Sequence, residues 1–286
     1  MKVLFCTDGS KISYNAIRNF SHWAKDFTAD VICAIDWSFL PDSVSIEDSE
    51  FSVMCTNSAD SILDYAETLL KEENIQLGKK IKMCGATVDC ILEACSKENY
   101  DAVILGSNGK KGIQKWLGSV SQEVASVVKI PTYISKEANN YNKILFGIEN
   151  SDNSPEVIRK SLEMLNLENK EIYLTTVYEV PDYLFLEGNL NTSWILEVRK
   201  KQEISAQILL NESEKIFSKL GLVVKHKEIL AGNPSSEIIK YAQKEGIDLV
   251  ICGTKQRKNL SKFLLSSVSK RILENTNSDV FLIRPI

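Results

Sequence analysis

The stretch KILFGIENSDNS, starting at Lys143, repeats the order of KVLFCTDGSKIS, starting at Lys2. GNPSSEIIKYAQKEGIDLVICGT from Gly232 repeats GATVDCILEACSKENYDAVILGS from Gly85, and Asp279 to Arg284 answers Pro131 to Lys136. Self-similarity of this extent means one structural unit used twice. A chain of 286 residues is also about twice the usual domain length. The domains are expected at 1–137 and 142–286, around the polar stretch KEANNYN.

Inside the first unit, short apolar runs alternate with amphipathic ones. KVLFCT, Asp30 to Ile35, Lys80 to Cys84, Ala102 to Leu105 and Pro131 to Ile134 read as strands. Tyr14 to Lys25, Ser58 to Glu73, Val88 to Glu98 and Ser119 to Lys129 read as helices, the second on the spacing of Ile62, Leu63, Ala66, Leu69 and Leu70. Trp37 to Thr56 is polar, acidic and irregular and reads as a long loop with room for a helical piece. Strands alternating with helices imply an α/β fold with a parallel, doubly wound sheet in each of two tandem Rossmann-like domains.

Chemistry concentrates between Tyr100 and Ser121. A buried strand ends in Gly106, Gly109 follows, and after a cationic tract come Gly118, Ser119, Val120 and Ser121, with two serines placed to cap a helix. Glycines let backbone amides approach a ligand, and the first amides of a helix have no intrahelical partner. Together they suit an anion such as a phosphate. The plainer alternative is a tight surface turn. In the second half Gln256 replaces the glycine at 109, and Ser266 replaces the one at 118. That cradle is expected to be obstructed, although Lys255, Arg257 and Lys258 remain to attract an anion loosely.

The net charge of −4 argues against non-specific binding to nucleic acid or to acidic membranes. Val3 to Cys6 is too short for a signal peptide, and a cytoplasmic protein is expected. Seven cysteines without a C-x-x-C pair read as reduced thiols, and His22 and His226 alone give metal or triad chemistry little to work with.

Gly106, Gly109, Gly118 and Ser119, the opening TDGS with Asp8, and the Gly232-Asn233-Pro234 turn resemble the universal stress protein family in its tandem form. The likeness covers both halves, with a spacing before Gly118 one residue shorter than the family's. It implies an adenine nucleotide alpha hydrolase-like fold of five mostly parallel strands per domain. It also implies binding of ATP or another adenine nucleotide, with or without magnesium, by the first domain. Gly106, Gly109, Gly118, Ser119 and Val120 would hold ribose and phosphates, Asp8 would lie beside the nucleoside, and Ala34 would contact adenine through its backbone. By the same resemblance the two halves pack as an intramolecular pseudo-dimer through their last strands, and a homodimer is conceivable.

Three functions stay open on these residues: a non-catalytic nucleotide-binding regulator, a slow ATPase or phosphoryl transferase, and an interaction module that binds no nucleotide. No G-x-x-x-x-G-K-[ST] loop is present to favour the enzyme. Lys110 and Lys111 read either as phosphate screens or as a solvated loop tip, and Trp116 as a cover for the site or as packing.

Overall fold

Runs such as Val3–Phe5 and Ala102–Ile104 are wholly buried, as strands covered on both faces by helices must be. The computed structural model describes residues 1–36, 50–107, 117–136, 140–149, 153–179, 192–254 and 265–284. Among them the chain divides into two compact units, one within Met1–Glu137 and one within Ala138–Gln256 and Leu265–Ile286.

Unit 1 runs β1 (Lys2–Cys6), α1 (Lys11–Ser21), β2 (Thr28–Ile35), α2 (Glu50–Glu72), β3 (Gln76–Cys84), α3 (Thr87–Lys97), β4 (Ala102–Gly106), α4 (Ser119–Val127) and β5 (Thr132–Ser135). Its strands lie in the order β3-β2-β1-β4-β5 and pair in parallel. Unit 2 repeats this with β6 (Lys143–Gly147), α5 (Ser154–Met164), β7 (Glu171–Tyr178), α6 (Thr192–Ser218), β8 (Val224–Ala231), α7 (Pro234–Glu245), β9 (Leu249–Gly253), α8 (Ser267–Asn275) and β10 (Asp279–Ile283). Its order is β10-β9-β6-β7-β8, again parallel.

In unit 1 the chain leaves β1 toward β2 on one side and β4 toward β5 on the other. A crevice opens where such a sheet reverses, at the carboxyl ends of the two adjacent strands, here β1 and β4. The opposite end of the sheet is closed by a buried carboxylate. Asp30 is 0% exposed and accepts hydrogen bonds from the Lys79 amide (2.8 Å) and the Tyr100 hydroxyl (2.8 Å), with Lys2 Nζ at 3.0 Å. A buried charge survives only when paired in this way, which makes Asp30 a structural tie and not part of the crevice.

Several element limits differ from the sequence reading. α1 starts at Lys11, because Ser10 caps it and not a residue nearer Tyr14. α2 starts at Glu50, upstream of the expected Ser58, so the helical piece for which the polar stretch left room is the first part of α2 itself. Extending a formed helix adds one hydrogen bond per residue and needs no apolar periodicity. Residues 37–49 of that loop lie outside the described residues. β3 starts at Gln76, not Lys80. It is an edge strand with mostly exposed side chains, so its pairing with β2 reveals it where hydrophobic alternation does not.

Candidate functional site

The crevice of unit 1 has two lips. The first is the turn from β1 to α1, fixed by the Thr7 amide donating to the Ile32 carbonyl (3.0 Å). Asp8 projects from it, exposed, and its Oδ1 accepts the Ser10 amide at 3.0 Å. Gly9 has φ 79°, a conformation that glycine adopts without strain. The helix cap is Ser10, whose Oγ accepts the Ser13 amide at 3.2 Å, so Asp8 is not spent as the N-cap. Ala34 is half-buried near the end of β2, two residues past the Ile32 that holds Thr7, and so lies at the same end of the sheet as Asp8.

The second lip joins β4 to α4. The Ser107 amide donates to the Ser135 carbonyl (2.8 Å), and the Gly118 amide returns to the Ser107 carbonyl (2.6 Å). Gly118 is the N-cap of α4, with φ −64° and ψ 147° and no side-chain cap hydrogen bond. The serines expected to cap the helix do other things. Ser121 Oγ donates to the Gly106 carbonyl at 2.6 Å, locking the helix start onto the strand end, and Ser119 is exposed. Among the described residues the amides of Ser119 and Val120 find no acceptor, and no acidic side chain sits in this first turn. Ser107 is 8% exposed, and its hydroxyl makes no hydrogen bond among the described residues.

Gly106 answers a different need from the one its sequence suggests. A Cβ there would stand 3.0 Å from the backbone of Ile12 and Ser13, so the missing side chain is what lets α1 pack against β4. Nor does Gly118 take a left-handed conformation. Its value lies in the absent side chain, which among the described residues leaves the helix start without a cap.

Unit 2 builds the same lip and fills it. Ser266 is the N-cap of α8 with nearly the same backbone, φ −61° and ψ 153°, but its Oγ accepts the Ser269 amide at 3.1 Å and lies 3.0 Å from Ser269 Oγ. Ser269 Oγ donates to the Gly253 carbonyl at 2.9 Å, the counterpart of Ser121 on Gly106. What remains is an open cleft of ≈ 260 Å³ lined by Gly147, Ile148, Glu149, Ser154, Val157 and Thr254, among others.

Two thiols and a tyrosine near these lips stay neutral. Burial pushes the Cys252 thiol up to about 12 and the Cys6 thiol well above its ordinary value. Burial, with lesser help from Cys33, Tyr65 and Asp8, raises the Tyr14 hydroxyl to about 12. None of these is a ready nucleophile at neutral pH. Among the described residues no group of three or more His, Cys, Asp or Glu side chains is placed to hold a metal ion, and no helix is long and apolar enough to cross a membrane.

A sequence model described as "Universal stress protein family" matches residues 1–136 and again 140–284. The chain belongs to the universal stress protein family. A universal stress protein of Methanocaldococcus jannaschii is 28% identical over 146 residues, covering 51% of this chain and 84% of that protein. One of Synechocystis is 22% identical over 226 residues, covering 78% and 71%. In three dimensions the chain is similar to the crystal structure of a universal stress protein from Archaeoglobus fulgidus, with TM-score 0.70 and 18% identity over 99% of this chain and 96% of that one. That likeness establishes the fold, two α/β units in tandem, each a mostly parallel sheet flanked by helices.

Of the residues singled out in this universal stress protein's sequence, Asp8 and Ala34 sit at one end of the sheet, and Gly106, Gly118, Ser119 and Val120 form the second lip at the crevice between β1 and β4. Gly109, Lys110, Lys111 and Trp116 lie outside the described residues, as do Lys255, Gln256, Arg257 and Lys258. Sequence reasoning passed over Thr7, Ser13 and Ser107. The hydroxyl-rich run TDGSKIS was the visible signal for the first two.

Proposed function

We propose that this universal stress protein binds ATP or another adenine nucleotide in unit 1 and acts as a stress-response regulator without turning the nucleotide over. One observation carries the reading: among the described residues α4 begins at a bare glycine with uncommitted amides, whereas its twin α8 is capped by its own Ser266. Free amides at a helix start attract negative charge through hydrogen bonding and the helix dipole together. Ser119 and Val120 would hold the phosphates by their amides, and Ser107 would offer a buried hydroxyl. Gly106 would keep α1 tight beneath the site, and Gly109 would complete the glycine loop. Asp8, on the opposite lip, would accept from ribose hydroxyls, and the backbone at Ala34 would meet the base. Magnesium would arrive on the phosphates, since the described residues build no cage for it. Catalysis of phosphoryl transfer asks for a held metal and a positioned nucleophile, and neither the sequence motifs nor the titratable groups supply them.

Calorimetric titration of the full chain with ATP tests the reading, together with mass spectrometry of small molecules released from freshly purified protein. Binding with intact nucleotide recovered is expected, and Gly118→Val abolishes it while leaving the fold in place. No heat at millimolar ATP would return the protein to the class of interaction modules. Steady release of ADP at many turnovers per minute would make it an enzyme.

A further inference from the structure

We propose that Thr7 is a positioning residue for the nucleoside end of the site, acting through the turn that carries Asp8. This rests on the nucleotide reading above and adds a residue that works from beneath the ligand. Thr7 and Ser13 are each 5% exposed and their hydroxyl oxygens are 2.8 Å apart. The direction of that bond follows from its neighbours. Ser13 Oγ donates its one hydrogen to the Ser10 carbonyl at 2.8 Å, so the Thr7 hydroxyl is the donor between the two. The Gly9 amide in turn donates to Thr7 Oγ1 at 3.1 Å. A directed chain results, from the Gly9 amide to the Thr7 hydroxyl, to the Ser13 hydroxyl, to the Ser10 carbonyl. Ser10 then closes the turn by donating its amide to Asp8 Oδ1 at 3.0 Å and by accepting the Ser13 amide on its Oγ at 3.2 Å.

Each hydroxyl in this chain donates once and accepts at least once, and such a run of hydrogen bonds fixes a turn more firmly than its members would singly. Gly9, in the left-handed region, is otherwise the loosest residue of the segment. Thr7 removes that freedom, and with it the spread of positions open to the Asp8 carboxylate.

Unit 2 lacks the arrangement. Ile148 stands where Thr7 would, Glu149 where Asp8 would, and Asn150 where Gly9 would. Ser154, the counterpart of Ser13, turns its hydroxyl to the Glu149 carbonyl instead. The threonine, the aspartate and the open helix start are thus all missing from the same unit.

The test is a double-mutant cycle on the full chain, with ATP affinity measured by calorimetry far below the unfolding temperature. There a fully folded chain loses no affinity through lowered stability alone. Thr7→Val is expected to weaken ATP binding about tenfold, and Thr7→Ser to restore it. On an Asp8→Ala background Thr7→Val should change nothing, because its effect runs through Asp8. Ser13→Ala, which breaks the chain one link further on, should lower affinity several-fold, and serves if Thr7→Val folds poorly. Wild-type affinity in Thr7→Val and Ser13→Ala, or equal losses with and without Asp8, would overturn the proposal. Failure of the wild-type chain itself to bind ATP would instead overturn the nucleotide reading on which the proposal stands.

Discussion

The first turns of α4 and α8 share a sequence pattern, a backbone and an anchor, yet they end in opposite states. Both start with an extended N-cap residue, and both tie a serine at the third helical position to the carbonyl of the preceding strand's last glycine. The difference is one side chain. Gly118 leaves the amides of α4 to the surroundings, while Ser266 turns inward and satisfies α8 from within. A helix start has a fixed set of unsatisfied donors, and whatever meets them first, its own side chain or a ligand, excludes the other. Capping α8 favours the stability of unit 2. The site proposed in unit 1 requires α4 to lack such a cap of its own.

The comparison can be pressed hardest at the paired glycines under the two lips. Gly106→Ala puts a methyl 3.0 Å from the backbone of α1, which cannot yield without moving the helix, and should cost about 1–3 kcal/mol. Gly253→Ala meets the Cγ2 of Val157 at 2.8 Å, a side chain that is stiff in α5 but is not backbone, and should cost less. Urea unfolding midpoints of the two variants give the ranking, and equal losses would mean that the strand-to-helix fit is the same in both units. Next, Gly118→Ser should make α4 behave as α8 does. ATP affinity falls about tenfold, roughly 1.4 kcal/mol, while ligand-free stability rises by a few tenths of a kcal/mol as the new hydroxyl caps the helix. A variant that gains stability and still binds as wild type would separate capping from ligand exclusion.

Ser266→Ala removes the cap in unit 2 and should cost about 1 kcal/mol in chemical denaturation, with Gly118→Ala close to neutral for folding. The smallest effect concerns acid. Hydrogen bonds from Lys71 and Lys80 hold Glu67 of α2 down at about 2. A carboxyl with a depressed folded value contributes stability in full above its unfolded value near 4.5 and loses it as pH falls toward 2. The group is half-buried at the surface, where solvent screens its ion pairs, so the contribution is small. Glu67→Gln should flatten the dependence of unit 1 stability on pH in that window. In unit 2 Lys225 lowers Glu171 in the same sense, giving the control.

The alternation of apolar runs and amphipathic stretches gave the strands and helices their order, because buried parallel strands and helix faces each impose a period on the sequence. Limits were legible only where a local signal marks them. Gly246 closes α7 in a left-handed conformation and Asn233 caps its start, both visible in the letters. Glu50 and Gln76 open elements without apolar periodicity, so hydrogen bonds to neighbours decide them. At the site, the glycine pattern pointed to Gly118, which stands at the start of α4, and to Gly106, for which α1, distant in sequence, adds a packing requirement that the pattern does not show. The two serines looked like caps, and Ser121 proved to be an anchor, because the strand-end carbonyl competes for its hydroxyl at a distance sequence does not measure.

The sequence alone determined that one α/β unit is used twice and that the second copy has lost the glycines of the first, since repeats and residue identities are properties of the chain itself. Which donors stay open is a matter of three-dimensional competition. Only the folded structure decided that Ser266 spends its hydroxyl on its own helix, that Gly106 serves packing, and that Thr7 and Ser13 lie close enough to lock the turn bearing Asp8. Hydrogen bonds are chosen by distance and direction, and those exist only after the strands and helices have met.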